Sequence, residues 1–480
     1  MKKQILVDIW PEETRMALLE AGQLAEAVIE RVSFSHLVGN VYKGKVKNVL
    51  PGMQAAFIDI GREKNAFLYV GEPNKAPQEY GSRVLKPTVG QDLLIQILKD
   101  EIGTKGPRAT THISLPGRYV VLMPTVSYIG ISRRIEDAAE KERLRGLAEQ
   151  LKPADMGLIV RTVAAGQSEA VLAKDIAYLT SLWHAISARA KITKSPALLY
   201  HDADLVIRLV RDSLDDTIEA FVVNHKQAYE RVIDLVRFMS PNLLDRIHYH
   251  EGNQSLFNVY GVEESMERIG QRTVELPSGG YIVIDKTEAL TVIDVNTGRF
   301  IGRTSLADTV LTTNLEAAAE IARQLRLRDI GGIIIIDFID MDKTEDQQQV
   351  LSALEQHLKQ DRTKTNILGL TQLGLVEMTR KKTRQNVEST LFTPCPCCKG
   401  RGRIPSPETV ALRIKRKLRN LAAQSVLAGN VRIQVHPAVA AILSEKEALT
   451  ELETAICRKV LLETVDSFDF ASFSLLYDET

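Results

Sequence analysis

Ala289-Leu290-Thr291-Val292-Ile293-Asp294-Val295-Asn296 and Gly331-Gly332-Ile333-Ile334-Ile335-Ile336-Asp337-Phe338-Ile339-Asp340 are two apolar, largely β-branched runs, each meeting an aspartate. Short runs of this kind, bounded by turn residues, read as strands. The second run is apolar at every position from Ile333 to Ile336, so burial on both faces is expected. Tyr281–Asp285 reads as the partner of the first run in a hairpin around Lys286-Thr287. Between the two runs, Leu315, Ala318, Ala322 and Leu325 recur at helical spacing over Leu315–Leu327, with Asn314 as the expected N-cap. Two strands would then bring Asp294 and Asp337 to the carboxyl edge of a sheet, where ligands gather in α/β folds.

Two carboxylates on neighbouring strand ends suit one hard cation. Mg²⁺ takes one or two carboxylates and completes its octahedron with water and phosphate oxygens. Such an ion acidifies a bound water and offsets charge on a phosphodiester. Mn²⁺ favours the same oxygen ligands, so the residues do not choose between them. Asn296 is placed to orient one of the acids. The plainer alternative is that each aspartate only caps a turn; the pairing of two such acids favours the metal. Asp285 is expected in the hairpin turn, and Asp340 is a supporting acid at most.

Working outward, residues 1–35 read as a strand and a hairpin. Residues 36–110 hold short strands at Ala55–Ile60, Ala66–Val70 and Asp92–Leu98, with Lys43, Lys45 and Lys47 on one face of another. Short strands separated by turn signals suggest a small barrel. Residues 111–205 mix strands at Tyr119–Met123 and Gly157–Thr162 with a charged helix near Asp137–Leu151, and 206–270 look mostly helical. The last 60 or so residues read as a small α/β unit. Lys plus Arg and Asp plus Glu both number 61, so net charge lends nothing to nucleic-acid binding and any such role must come from local patches. No apolar run approaches a bilayer span, and the start MKKQILVDIWPEE lacks the apolar core of a secretory signal, so a cytoplasmic place is expected. Three of the four cysteines, Cys395, Cys397 and Cys398, crowd one Pro- and Gly-rich stretch, Pro394–Pro407; this favours metal or redox chemistry over a disulfide framework. Basic tracts, Arg380-Lys381-Lys382 and Arg413–Arg419, flank it.

ALTVIDVNTGRF and TNLEAAAEIARQLRLRDIGGIIIIDFIDM resemble the catalytic signature of the ribonuclease E/G family. VYKGKV, QAAFIDIG, GISRRI and GLIVRT follow the family's order along the rest of the chain. The resemblance implies that Asp294 and Asp337 bind Mg²⁺ with Asn296 in support. The implied reaction is endonucleolytic hydrolysis of single-stranded RNA to 5′-monophosphate and 3′-hydroxyl products, in rRNA processing and mRNA decay. A non-catalytic RNA-binding scaffold on the same barrel is the other class of reading, but it has no need of the acid pair. With no long tail after the matched region, the chain resembles the ribonuclease G-like members.

The implied fold is an α/β (α+β) mosaic. A ribonuclease H-like part (1–35 and 208–270) is split by an S1 barrel (36–111) and a 5′-sensing subdomain (112–207). A DNase I-like catalytic part (271–391), a zinc linker (392–405) and a small C-terminal domain (406–480) follow. Phe57 and Phe67 would by composition alone be core residues; the resemblance makes them stacking platforms for bases. Lys105, on its own a solvated turn lysine, matches a lysine that meets the RNA backbone. Gly117, Val121, Arg161 and Thr162 match a pocket for a 5′-monophosphate, where a guanidinium fork and a hydroxyl suit a terminal phosphate. Lys364 stands where the family pattern has arginine; lysine keeps the charge but loses the planar fork, implying a weaker preference. Cys395-Pro396-Cys397-Cys398-Lys399-Gly400-Arg401-Gly402 fits the family's zinc-link motif, with Cys395 and Cys398 as ligands and Cys397 in a variable slot. Two thiolates are half a structural zinc site. The resemblance therefore implies a homodimer sharing one Zn²⁺, with further association of dimers left open; a free or redox-active cysteine pair is the alternative.

Overall fold

The structure is a computed structural model describing residues 2–32, 36–70, 86–101, 105–252, 254–299, 305–382, 387–424 and 429–477. The chain divides into two compact units, Met1–Thr390 and Leu391–Thr480.

In the first unit, β1 (Lys3–Ile9), β2 (Glu13–Glu20) and β3 (Gln23–Arg31) form an antiparallel meander. The chain then builds a closed barrel from β4 (Val41–Leu50), β5 (Ala55–Asp59), β6 (Ala66–Tyr69), β7 (Asp92–Lys99) and β8 (Arg108–Thr110). Strands run in the order β4-β5-β6-β8-β7, and β7 pairs back onto β4 to close it. Ala56, Ile58, Ala66, Ile95 and Ile97 fill the interior, as a small barrel requires.

Next, β9 (Leu115–Pro116), β10 (Val120–Met123), β11 (Ile129–Ile131) and β12 (Gly157–Val160) form a four-stranded sheet ordered β11-β12-β10-β9. Helices α1 (Ala138–Leu151) and α2 (Glu169–Ile192) share its core. Asp137 caps α1 by accepting from Ala139 N–H. From α2 the chain returns to the barrel as β13 (Ala197–Tyr200), antiparallel to the start of β4. Lys43 Nζ donates to the carbonyls of Ala190 and Thr193, 3.0 Å each, at the end of α2.

The stretch expected to be mostly helical carries α3 (Leu205–Asp212) and α4 (Lys226–Met239), but also β14 (Ile218–Val223) and β15 (Ile247–Tyr249). These strands complete the first sheet as β15-β14-β1-β2-β3, with β14 parallel to β1. Both are short, and β14 finds β1 two hundred or so residues away, with β15 joining only through β14, so the local pattern gave helices the weight. Short helices α5 (Leu256–Val259) and α6 (Glu263–Glu267) follow.

The site-bearing sheet is β16 (Thr273–Glu275), β17 (Tyr281–Lys286), β18 (Leu290–Asn296), β19 (Gly332–Asp337), β20 (Thr365–Leu370) and β21 (Leu375–Arg380), ordered β16-β17-β18-β19-β21-β20. Only β18 and β19 pair in parallel, which their crossover through α7 (Leu306–Leu327) demands. Helices α7 and α8 (Thr344–Leu358) cover one face, burying Ile293, Ile334, Ile336, Val376 and Met378 against Ala318, Ile321, Leu325 and Leu354.

Among the described residues of this unit no helix covers the other face. Ile333 is 50% exposed and Ile335 half-buried, so the expected two-sided burial of the isoleucine run is wrong. Asn314 is no cap either. The helix starts at Leu306 behind Ser305, whose hydroxyl accepts from Asp308 N–H, and Asn314 lies fully buried inside it. After a short α9 (Val387–Leu391) comes the second unit, where residues 392–406 form no helix or strand. There α10 (Pro407–Ala423), α11 (Pro437–Leu443) and α12 (Lys446–Ile456) accompany a sheet of β22 (Val431–Val435), β23 (Val460–Thr464) and β24 (Phe473–Tyr477), ordered β23-β22-β24. Among the described residues no helix is long and apolar enough to cross a membrane.

Candidate active site and nucleic-acid interface

Strand alternation sends Ile293 and Val295, and Ile334 and Ile336, toward the helices. It therefore sends Asp294 and Asp337 to the uncovered face, where both are exposed. The parallel ladder puts them in direct register, Asp294 opposite Asp337. Paired strands lie about 4.8 Å apart, so the two carboxyls project side by side. Asn296, next on that face of β18, donates from Nδ2 to Asp294 Oδ2 at 2.8 Å. Partial burial, then the charges of Asp294 and Asp340, push Asp337 above its ordinary value. Neither Asp294 nor Asp337 forms an ion pair among the described residues.

The turn after Asp337 is fixed from beneath. Asn314 Nδ2 donates to the Ile339 carbonyl at 2.8 Å, and its Oδ1 accepts from Ile339 N–H at 3.1 Å. Nothing in the local pattern signals that role, since the partner lies on another element. Asp285 sits inside β17, opposite Val292, and pairs with Arg272 at 2.5 Å; it is a strand residue, not the expected turn residue.

On the barrel, Phe57 and Phe67 face each other across β5 and β6 with ring centroids 5.9 Å apart, edge to face. Both are half-buried and neither belongs to the barrel core. The exposed Lys105 opens the segment running beside β6, where Pro107 O accepts from Phe67 N–H at 2.7 Å. Residues 102–104 of its turn lie outside the described residues.

In the sheet beyond the barrel, Arg161 Nη1 donates to the Gly117 carbonyl at 2.7 Å and meets Asp212 Oδ1 at 2.6 Å. Gly117 has no room for a side chain: a Cβ there would lie 2.6 Å from Asp175 Oδ2. Asp175 is buried and accepts from the N–H groups of Arg118, Tyr119 and Val120, which shapes the turn; burial nevertheless raises its pKa. Burial acts to raise Asp212 as well, but the hydrogen bond and charge of Arg211 and the charge of Arg161 hold it below its ordinary value. Thr162 is exposed, its hydroxyl 2.8 Å from that of Ser132. Val121 lies half-buried on β10 opposite Ile159. Lys364 is exposed. Its neighbour Arg362 donates to Asp212 O at 3.2 Å and Ser213 Oγ at 2.7 Å, while Arg134 holds the carbonyls of Asp361 and Arg362. Asp175, Asp212 and Arg362 thus hold the Gly117 turn, Arg161 and the 361–362 turn by their contacts, and all three escape a reading that sees only nearby residues.

In the second unit Cys395 and Cys397 are exposed and Cys398 half-buried, all with free thiols. Lys399 N–H donates to Cys395 O at 2.7 Å, and Lys399 and Gly400 take φ of +51° and +84° to make the turn. Backbone N–H groups of Cys398 and Cys397 donate to the Cys395 sulfur and lower its pKa. Cys397 is raised instead, by desolvation and by Cys395 and Asp469. Among the described residues no cluster of three or more His, Cys, Asp or Glu side chains is disposed to hold a metal.

A family model described as the ribonuclease E/G family matches residues 114–383, and one described as the RNase E/G thioredoxin-like domain matches 394–477. Ribonuclease G of Salmonella typhimurium is 41% identical over 99% of this chain and 100% of its own length. Ribonuclease G of Escherichia coli K12 is 40% identical with the same coverage. Ribonuclease E of a Nostoc species is 41% identical over 84% of this chain but only 59% of its own.

Proposed function

The chain belongs to the ribonuclease E/G family and is an endoribonuclease, and from that premise we propose that Asp294 and Asp337 hold one Mg²⁺ or Mn²⁺ against the scissile phosphate of single-stranded RNA. One observation carries the assignment: two exposed carboxylates in register on neighbouring strands, with no ion-pairing cation among the described residues. Partial burial raises Asp337 first and the charges of Asp294 and Asp340 add to it; a divalent ion would offset those two charges. When bound, the ion supplies an acidified water and charge neutralisation at the phosphate.

The chain's own residues do the rest. Asn296 fixes the rotamer of Asp294, and Asn314 fixes the turn after Asp337. Phe57 and Phe67 present ring faces for base stacking, and Lys105 adds a charge for the backbone. Arg161, aimed by Gly117 and Asp212, meets a 5′-terminal phosphate together with Thr162, with Val121 and Lys364 lining the approach. The products are 5′-monophosphate and 3′-hydroxyl ends, in the processing of rRNA precursors and the turnover of mRNA. Cys395 and Cys398 supply half a zinc site, completed by a second copy of the chain; the N–H groups aimed at Cys395 sulfur favour a thiolate there.

The first sheet, β15-β14-β1-β2-β3, serves as the ribonuclease H-like part, at 1–35 and 208–270. The barrel, the 5′ pocket and the catalytic sheet then follow at 36–111, 112–207 and 271–391, with the linker at 392–405 and the small domain from 406. The test is Asp294→Asn with Mg²⁺ and an AU-rich single strand. Cleavage is expected to fall about 10²–10³-fold, as when one electrostatic stabiliser of a transition state is removed. Unchanged cleavage would remove the metal assignment.

A further inference from the structure

GISRRI, residues 130–135, contributes Ser132 to the pocket and Arg134 to the 361–362 turn, but its other arginine points elsewhere. Arg133 lines a separate cleft of about 360 Å³ between β11 and α1. Lys141 and Arg145 close the cleft from one face of α1, being four residues apart on the helix. Arg133 and Lys141 form no ion pair among the described residues. Arg145 only approaches the exposed Glu142, at 3.9 Å. Arg143, two residues from each and so on the other side of the helix, is by contrast bound to Glu140 at 2.7 Å. Among the described residues no acid lines the cleft.

Its floor is aromatic. Tyr128 is half-buried and its ring lies over Gly130, so close that a Cβ there would sit 2.8 Å from Cε1. Three converging cations with no acid among them, beside an aromatic face, are the chemistry of a single-strand groove: phosphates meet the charges and a base meets the ring.

We propose that the cleft between β11 and α1 is a second RNA-holding groove, in which Arg133, Lys141 and Arg145 meet backbone phosphates and Tyr128 stacks a base. It rests on the reading of this chain as an enzyme acting on single strands, and not on the 5′-phosphate pocket. The groove begins beside that pocket, because Ser132, bonded to Thr162, directly precedes Arg133.

The test measures affinity of the full chain for a long 5′-hydroxyl oligo(U), without divalent ions, across salt concentrations. On a single strand, removing one cation from its phosphate lowers the slope of log affinity against log salt by about 0.7. The variant R133Q/K141Q/R145Q is therefore expected to lose about 2 in slope. Wild-type affinity should then fall roughly twentyfold more than the variant's between about 50 and 200 mM salt. The charge-keeping R133K/K141R/R145K should restore the slope. Tyr128→Ala should weaken binding about tenfold with the slope intact.

An unchanged slope overturns the groove. So does a variant that only loses preference for 5′-monophosphate over 5′-hydroxyl RNA, which would assign the cations to the neighbouring pocket. A wild type without that preference defeats the pocket alone and leaves this measurement standing. Should the neutral variant fail to fold, acylation of Lys141 in the wild type decides. Protection by oligo(U) supports the groove, and equal modification with and without RNA overturns it.

Discussion

Asp294 owes its position to Ile293 and Val295 as much as to its own chemistry. Those two side chains are drawn into the core, and the pleat leaves the carboxylate no direction but outward. This is why the acid pair could be read from the sequence: alternation and one parallel ladder suffice. Asn314 could not be read so. An asparagine ahead of an apolar stripe looks like a cap, and only the folded chain shows it gripping Ile339 from the middle of α7. Asn314→Ala is expected to leave the Ile339 amide and carbonyl without partners and to cost about 1–3 kcal/mol. More tellingly, half-saturation in Mg²⁺ should move to higher concentration while the rate at saturating Mg²⁺ largely recovers. A Mg²⁺ titration of initial rate beside a thermal melt checks this; lost stability with an unmoved titration would make Asn314 merely structural.

At the scale of elements, the isoleucine run of β19 shows where composition misleads. Four apolar residues in a row fit a strand covered on both sides, yet α7 and α8 lie on one side only and Ile333 on the other is 50% exposed. Ile334→Ala is expected to cost about 2–5 kcal/mol, and Ile333→Ala no more than about 0.5 kcal/mol. Urea unfolding of the two variants measures the difference, and equal losses would mean the outer face is covered after all. A second element-level tie joins α7 to the first sheet: Arg326, 5% exposed, pairs with Glu20 at 3.0 Å and Glu26 at 3.1 Å. Burial raises Glu20, but bonds from Arg326 and Lys3 outweigh it and hold it below its ordinary value of 4.5. A depressed folded pKa means that this stabilisation is present above the unfolded value and is lost as pH falls through the folded one. Arg326→Met should cost about 3–5 kcal/mol at neutral pH by stranding the acids. It should also flatten the loss of stability below about pH 4.5, as followed by denaturation at several pH values.

For the whole molecule, the barrel and the three central strands of the site-bearing sheet, β17, β18 and β19, were legible because they are consecutive and strongly apolar, whereas β16, β20 and β21 were not read. Of the first sheet only the β1–β3 meander was legible from pattern, because β14 joins β1 across the length of the barrel and its neighbour and brings β15 with it. The cysteine turn makes its expectation at this scale: two thiolates per chain give one Zn²⁺ per two chains. Native mass spectrometry should show a dimer with a single zinc, dissociating on chelation, and a stable zinc-free dimer would remove the shared site.

The return of β13 to the barrel bears on how the molecule can be dissected. A fragment cut at residue 111 would keep all five staves, yet Val41–Lys43 would lose their antiparallel neighbour and Lys43 its carbonyl seat on α2. A bare strand edge of that kind invites pairing between copies. Cutting after residue 200 keeps the edge covered, and the barrel then travels only in company with the β9–β12 sheet and its helices.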